Sequence, residues 1–157
     1  MSAVADNASS GRLAGVDYGT VRIGIAVTDS RQTLASPLDN YTRRTPQLDA
    51  DYFAKLAQAE GIAAFVVGLP VHLDGRESQK SIEAREFGAW LAGITGRPVT
   101  YFDERFTSSE AEQFLGAAKF TKKQRKARLD KLAAQIMLTA YLESRSRGGA
   151  APQSLDG

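Results

Sequence analysis

The sequence predicts an α/β fold built on a mixed five-stranded sheet flanked by helices, and three observations carry that prediction. An apolar run at residues 13–17 ends on Asp17, turns through Tyr18-Gly19-Thr20-Val21, and resumes at 23–28, the pattern of an antiparallel hairpin. Residues 62–67 form a short, continuous, β-branched apolar run, as expected of a strand covered on both faces. Stretches of helical period then alternate with strand-like runs, which is how β-α-β units are written in a sequence. The predicted order is βββαβαβαα over one domain at 12–146, between small, polar tails at 1–11 and 147–157 that read as disordered.

Each element has its own local cause. The first two strands are the arms of the hairpin. Residues 33–41 alternate and suit a third strand, with Pro37 fitting a sheet edge. Thr45-Pro46 opens a helix, Thr45 as N-cap and Pro46 at its first position, with Leu48, Tyr52, Phe53, Leu56 and Ala57 on one face and Gly61 closing it. Gly68-Leu69-Pro70 ends the fourth strand, and Asp74-Gly75 marks a turn in the loop 71–77, which also holds His72. Residues 78–94 form a second helix that buries Phe87, Trp90, Leu91 and Ile94 and stops at Gly96-Arg97-Pro98. The fifth strand, 99–103, runs into Asp103-Glu104. Thr107-Ser108-Ser109-Glu110 is a capping box for a third helix to about residue 118. Residues 119–128 read as a polar, basic linker. A last helix at about 129–145 carries Leu129, Leu132, Ala133, Ile136, Met137 and Ala140 on one face.

Composition narrows the chemistry. Of 157 residues, 43% are hydrophobic, enough for a sizeable core, and none is cysteine, which excludes disulfides, thiolate metal sites and a cysteine nucleophile. No apolar run approaches the roughly 20 residues of a membrane-spanning helix, and the first ten residues lack the order of a signal peptide. A cytoplasmic location fits. The net charge of +2 is unevenly spread: residues 119–147 hold nine Lys/Arg against two acids, a net +7, which leaves −5 elsewhere. A basic segment beside acids suits an enzyme that must attract phosphates and hold cations; a solvated helix flank would carry the same charges.

Three acids stand where such a site would form. Asp17 and Asp103/Glu104 sit at the C-terminal ends of strands, where open α/β sheets bind ligands, and if those strands are neighbours the carboxylates lie within several Å of each other. Asp130 lies near the start of the last helix, one residue off its apolar stripe. Singly, each acid is explained by a turn, a loop start or a helix N-terminus. Together, and with no His or Cys cluster, they suit Mg²⁺ or Mn²⁺ and phosphodiester hydrolysis. Arg22 and Arg105, close to these acids in sequence, and Lys122, Lys123 and Arg125 in the basic segment are the candidate substrate contacts. The lone His72 has no partners for a metal site or a triad and reads as an exposed loop residue.

The segments Asp17-Tyr18-Gly19-Thr20-Val21-Arg22-Ile23-Gly24-Ile25-Ala26, Val67-Gly68-Leu69-Pro70…Asp74-Gly75, Asp103-Glu104-Arg105-Phe106-Thr107-Ser108 and Asp130…Ala133-Ala134…Ile136…Leu138…Tyr141 resemble, in order and spacing, the motifs of the YqgF/RuvX family. The resemblance covers residues 12–143. It implies an RNase H-like fold related to RuvC-type resolvases and a bacterial cytoplasmic nuclease acting at the 5′ end of pre-16S rRNA. It implies Asp17, Glu104 and Asp130 as catalytic, metal-holding acids. Of the two adjacent acids, strand alternation lets one side chain face the site, and Glu104 is preferred. RuvC-type resolvases carry two close acids on the last helix, whereas only Asp130 is available here.

Four functions fit these residues to different degrees. The leading one is a metal-dependent endonuclease on structured RNA, with pre-rRNA as the expected substrate and the ribosome as an expected partner. A branched-DNA (Holliday junction) resolvase shares its chemistry and would be a homodimer rather than a monomer. A non-catalytic nucleic-acid-binding module would use the basic segment 119–131 alone. An ATP-binding protein would explain Asp17-Tyr18-Gly19-Thr20, but such proteins need two domains of this kind where the chain supplies one.

Overall fold

The computed structural model describes residues 10–70, 78–104 and 122–146, with 122–131 and Ser146 described as backbone only. Five strands form one sheet: β1 (Arg12–Asp17), β2 (Arg22–Thr28), β3 (Ala35–Thr42), β4 (Ile62–Leu69) and β5 (Val99–Asp103), in the order β3-β2-β1-β4-β5. The hairpin and β3 are antiparallel, whereas β4 and β5 run parallel to β1. The sheet is therefore mixed, as predicted. Pro37 lies on the β3 edge, at a register irregularity opposite Ala26, where its missing N–H costs no central ladder bond.

Helices α1 (Pro46–Ala59) and α2 (Gln79–Thr95) cover one face, and α3 (Lys122–Ser146) covers the other. Strand alternation sorts the core into two halves. Ala14, Val16, Phe65 and Val67 face α1 and α2 and meet Phe53, Phe87 and Leu91. Leu13, Ala26, Val66 and Phe102 face α3 and meet Ala134, Met137 and Leu138. The Thr45 cap and the two glycine stops are those read in the sequence; Ser78, read as the first residue of the second helix, is its N-cap instead. Thr45 Oγ accepts from Leu48 N at 3.2 Å with Pro46 at the first position, and Gly61 follows α1 with a φ of +61°. Ser78 Oγ accepts from Ser81 N at 3.0 Å and donates to the Pro70 carbonyl at 2.9 Å, tying the start of α2 to the end of β4. Gly96, at φ +70°, closes α2 in the left-handed conformation.

Four expectations are corrected. Leu48 does not join the buried face of α1; it is 46% exposed, while the buried acid of that helix is Asp49. Trp90, like Ile94, is only partly buried. The basic stretch is not a linker from residue 122 onward: α3 begins at Lys122, seven residues before the expected start. The sheet-facing line of α3 also runs through Ala134 and Leu138, because it packs on glycines. A Cβ on Gly15 would lie 3.0 Å from Leu138 Cβ, and one on Gly24 would lie 3.6 Å from Ala134 Cβ. Asp130 lies one turn before Ala134, in the part of α3 described as backbone only. The helix expected at 107–118 lies outside the described residues.

Candidate active site

Asp17 ends β1, and its Cα is paired with Gly24 of β2, which is in turn paired with Asn40 of β3. Alternation from Leu13 and Gly15 puts the Asp17 side chain on the α3 face of the sheet, and a Cβ on Gly24 would sit 3.7 Å from Asp17 Cβ. Glu104 follows the last residue of β5. Their two strands are not neighbours, as adjacency would have required: β4 lies between them.

The gap is bridged at Gly68. Residue 68 sits next to Asp17 in the sheet, one step past the Val16–Val67 pair, and faces the same side. The Glu104 side chain lies across it: a Cβ there would overlap the carboxylate and come within 2.9 Å of both Cγ and Cδ. Because residue 68 has no side chain, Glu104 reaches over β4 and hydrogen-bonds the Asp17 carboxyl. Burial, first, then the Asp17 charge and that hydrogen bond, and to a lesser degree the Asp103 charge, push the Glu104 carboxyl up to about 8, while Lys80 pulls it down. A largely desolvated carboxyl held against a second one retains a proton that a carboxylate alone would lose near pH 4.5. Of the adjacent acids, then, it is Glu104 that meets Asp17; Asp103 is buried at the end of β5, its Cα paired with Leu69.

Beside the pair opens a cavity of about 290 Å³, lined by Asp17, the β1–β2 turn, Arg22, Asn40 and Lys80. Arg22 is thus brought to the site as expected. Lys80 and Asn40 join it without having been foreseen. A signal for Lys80 was available: it lies in the first turn of a helix that starts just past the Gly68-Leu69-Pro70 strand end, on the edge that carries Asp17. Asn40 would have required the strand register.

Gly15 meets α3 at Leu138, whereas Gly24, beside Asp17, meets it at Ala134. The helix therefore runs against β1, and its N-terminal turns lie toward the Asp17 end of the strand. Asp130 is one turn before Ala134, and Lys122, Lys123 and Arg125 occupy the first turns; their side chains lie outside the described residues. Arg105 and His72 also fall outside them. Among the described residues no group of three His, Cys, Asp or Glu side chains converges; the oxygen donors that meet are Asp17 and Glu104. No helix among those residues is long and apolar enough to cross a membrane.

Comparison with known proteins finds relatives over most of the chain. Residues 11–144 match the family model described as RuvX, Holliday junction resolvase. A protein of Rhodopirellula baltica named "Putative pre-16S rRNA nuclease" is 52% identical over 149 residues, covering 94% of this chain and 86% of that one. A protein of the same name from Koribacter versatilis is 38% identical over 139 residues, 88% of this chain and 91% of its own. Among solved structures, T. thermophilus RuvC in complex with a Holliday junction substrate superposes with a TM-score of 0.56 at 15% identity, covering 88% of this chain and 97% of that one, a likeness of the RNase H-like fold.

Proposed function

This chain belongs to the RuvX family, a family of nucleases acting on phosphodiester bonds, and from that premise we propose that it is a metal-dependent endonuclease of structured nucleic acid that trims the 5′ end of pre-16S rRNA in the bacterial cytoplasm. The observation that carries the reading is the meeting of Asp17 and Glu104 across the bare backbone of Gly68. Two half-buried, hydrogen-bonded carboxyls that share a proton beside an open cavity are a fitting donor set for a hard divalent cation, which would replace that proton. Asp17, Glu104 and Asp130 would hold Mg²⁺ or Mn²⁺. Such an ion supplies an acidified water and charge stabilisation at the phosphate.

The chain's own part is to bind and orient. Arg22 and Lys80 stand on the cavity beside the carboxyls and would pair with phosphate oxygens flanking the scissile bond. Asn40 offers an amide for a sugar hydroxyl or a phosphate oxygen. Lys122, Lys123 and Arg125, in the turns of α3 toward that end of the sheet, would guide the strand in. A second reading, resolution of branched DNA, is favoured by the description of the matching family and would use the same site in a homodimer.

The test is cleavage of labelled pre-rRNA leader and of a four-way DNA junction, with and without Mg²⁺ or Mn²⁺, by the wild type and by Asp17→Asn. Metal-dependent cutting of the leader that the variant loses supports the proposal. Cutting of the junction alone selects the resolvase. Binding of both substrates without cutting, unchanged in Asp17→Asn, overturns both in favour of a non-catalytic binding module.

A further inference from the structure

On the opposite side of Tyr18 from the carboxyls lies a second cavity, of about 300 Å³, whose walls include Tyr18, Arg43, Glu83, Glu86, Phe87 and Trp90. We propose that it is a base pocket: it takes an unpaired guanine of the nucleic acid whose backbone lies at the Asp17 site. The proposal rests on the nuclease reading above and adds the recognition element of its substrate.

Three features of the pocket select a nucleobase. The first is rigid aromatic surface. Trp90 stands on Phe87 with ring centroids 5.3 Å apart and edge-on to Phe53 at 6.2 Å, so it is held in place while remaining only partly buried. Bases stack on such surfaces and on guanidinium planes. The second is the guanidinium of Arg43. It lies 5.4 Å from the Tyr18 ring centre and 5.9 Å from that of Phe87, donates to Tyr18 Oη at 3.1 Å, and pairs through Nε with the buried Asp49 carboxylate at 3.3 Å. It is thus a fixed planar wall, with much of its charge already answered. The third is acidic. Glu83 and Glu86 add two carboxylates to the lining, on the same helical stripe as Phe87 and Trp90, with Glu83 Oε2 also accepting from Gln79 Nε2 at 3.4 Å. Carboxylates repel phosphate and accept hydrogen bonds, and guanine offers adjacent donors at N1 and N2 that one carboxylate accepts in a bidentate pair, whereas adenine offers one amino group.

The register with the catalytic end is covalent. Tyr18 lines both cavities and directly follows Asp17, so a base in this pocket fixes which phosphodiester lies at the carboxyls.

Trp90 is the only tryptophan, so its fluorescence reports on this pocket alone. The experiment titrates the full-length Asp17→Asn protein with uridine pentamers whose central position is guanosine, adenosine or abasic. The expected result is quenching of Trp90 by the guanosine pentamer, with affinity about tenfold above the abasic one and several-fold above the adenosine one, and loss of the guanosine preference in Glu83→Gln/Glu86→Gln. Equal titrations by all three pentamers, or by guanosine and adenosine, overturn the proposal, and because the change is in the ligand they do so without reliance on the folding of any pocket variant. Wild-type cleavage with added metal, measured in parallel, separates the two readings. Cutting without base-dependent quenching removes the pocket and leaves the nuclease. Base-dependent quenching without cutting does the reverse.

Discussion

The substitution Gly68→Ala adds one methyl group where it bears most directly on the proposed chemistry. An alanine Cβ there would fall on the Glu104 carboxylate and within 2.9 Å of its Cγ and Cδ. The obstructing group is the end of a flexible side chain, so Glu104 swings aside and the backbone stays. Replacing glycine inside a strand by alanine gains roughly 0.5–1 kcal/mol of backbone entropy, and moving a strained carboxyl toward water gives back part of its burial cost, so the apo protein should melt within a few degrees of the wild type. Function should respond differently. Displacing a site carboxylate by about 1 Å costs on the order of 100-fold in rate, and losing one of the oxygen ligands should raise the Mg²⁺ concentration for half-maximal activity at least tenfold. The assay is leader cleavage across a Mg²⁺ titration beside a thermal melt. Wild-type cleavage and an unchanged Mg²⁺ dependence in a folded Gly68→Ala protein would refute the claim that the bare backbone at residue 68 is what joins the two acids.

Further outcomes follow from the same coordinates. The Glu104 carboxyl is raised from 4.5 to about 8 in the fold, so the folded apo state holds a proton that the unfolded chain releases; stability is full below about pH 4.5 and falls as pH rises toward 8, by up to roughly 4 kcal/mol, and urea melts at pH 5 and 8 without metal should show it. Glu104→Gln keeps the shape without the charge, so its apo stability should be flat over that interval while metal-dependent cutting is lost. Gly15→Ala places a methyl 3.0 Å from Leu138 Cβ, crowds the contact between α3 and the sheet and should cost about 1–3 kcal/mol by denaturant melt. Gly93→Ala, inside α2 with nothing within 4 Å of the new methyl, should instead stabilise by about 0.5–1 kcal/mol.

The strands and the caps were legible because their causes are local. The Thr45-Pro46 and Ser78 starts, the left-handed Gly96 stop and the all-apolar β4 are each written within a few residues. Asp17 and Glu104 were legible as strand-end acids, but the way they meet was not. Hydrophobic pattern does not state that β4 separates β1 from β5, and a glycine before Leu69-Pro70 reads as a turn residue until the strand order shows what passes over it. Asn40 was missed for the same reason, since strand register brings it in, whereas Lys80 sits in the first turn of a helix whose start the sequence does show. The basic stretch before residue 129 read as a linker because it has no apolar stripe of its own, yet Lys, Arg, Gln and Ala are good helix formers and it extends a helix nucleated by the packed turns that follow. Trp90 was assigned to the core on its spacing; helical period gives a direction, not a depth.

The strand order also sets a timetable. During synthesis the hairpin, β3, α1 and β4 can pair as they emerge, and by residue 69 the chain holds Asp17 in a nearly complete sheet. Its partner is on the far side of β4, 87 residues along the chain, and arrives only when β5 docks on the outer edge. The helix that seals that face comes later still. A chain ending before residue 104 therefore carries Asp17 without the carboxyl that meets it.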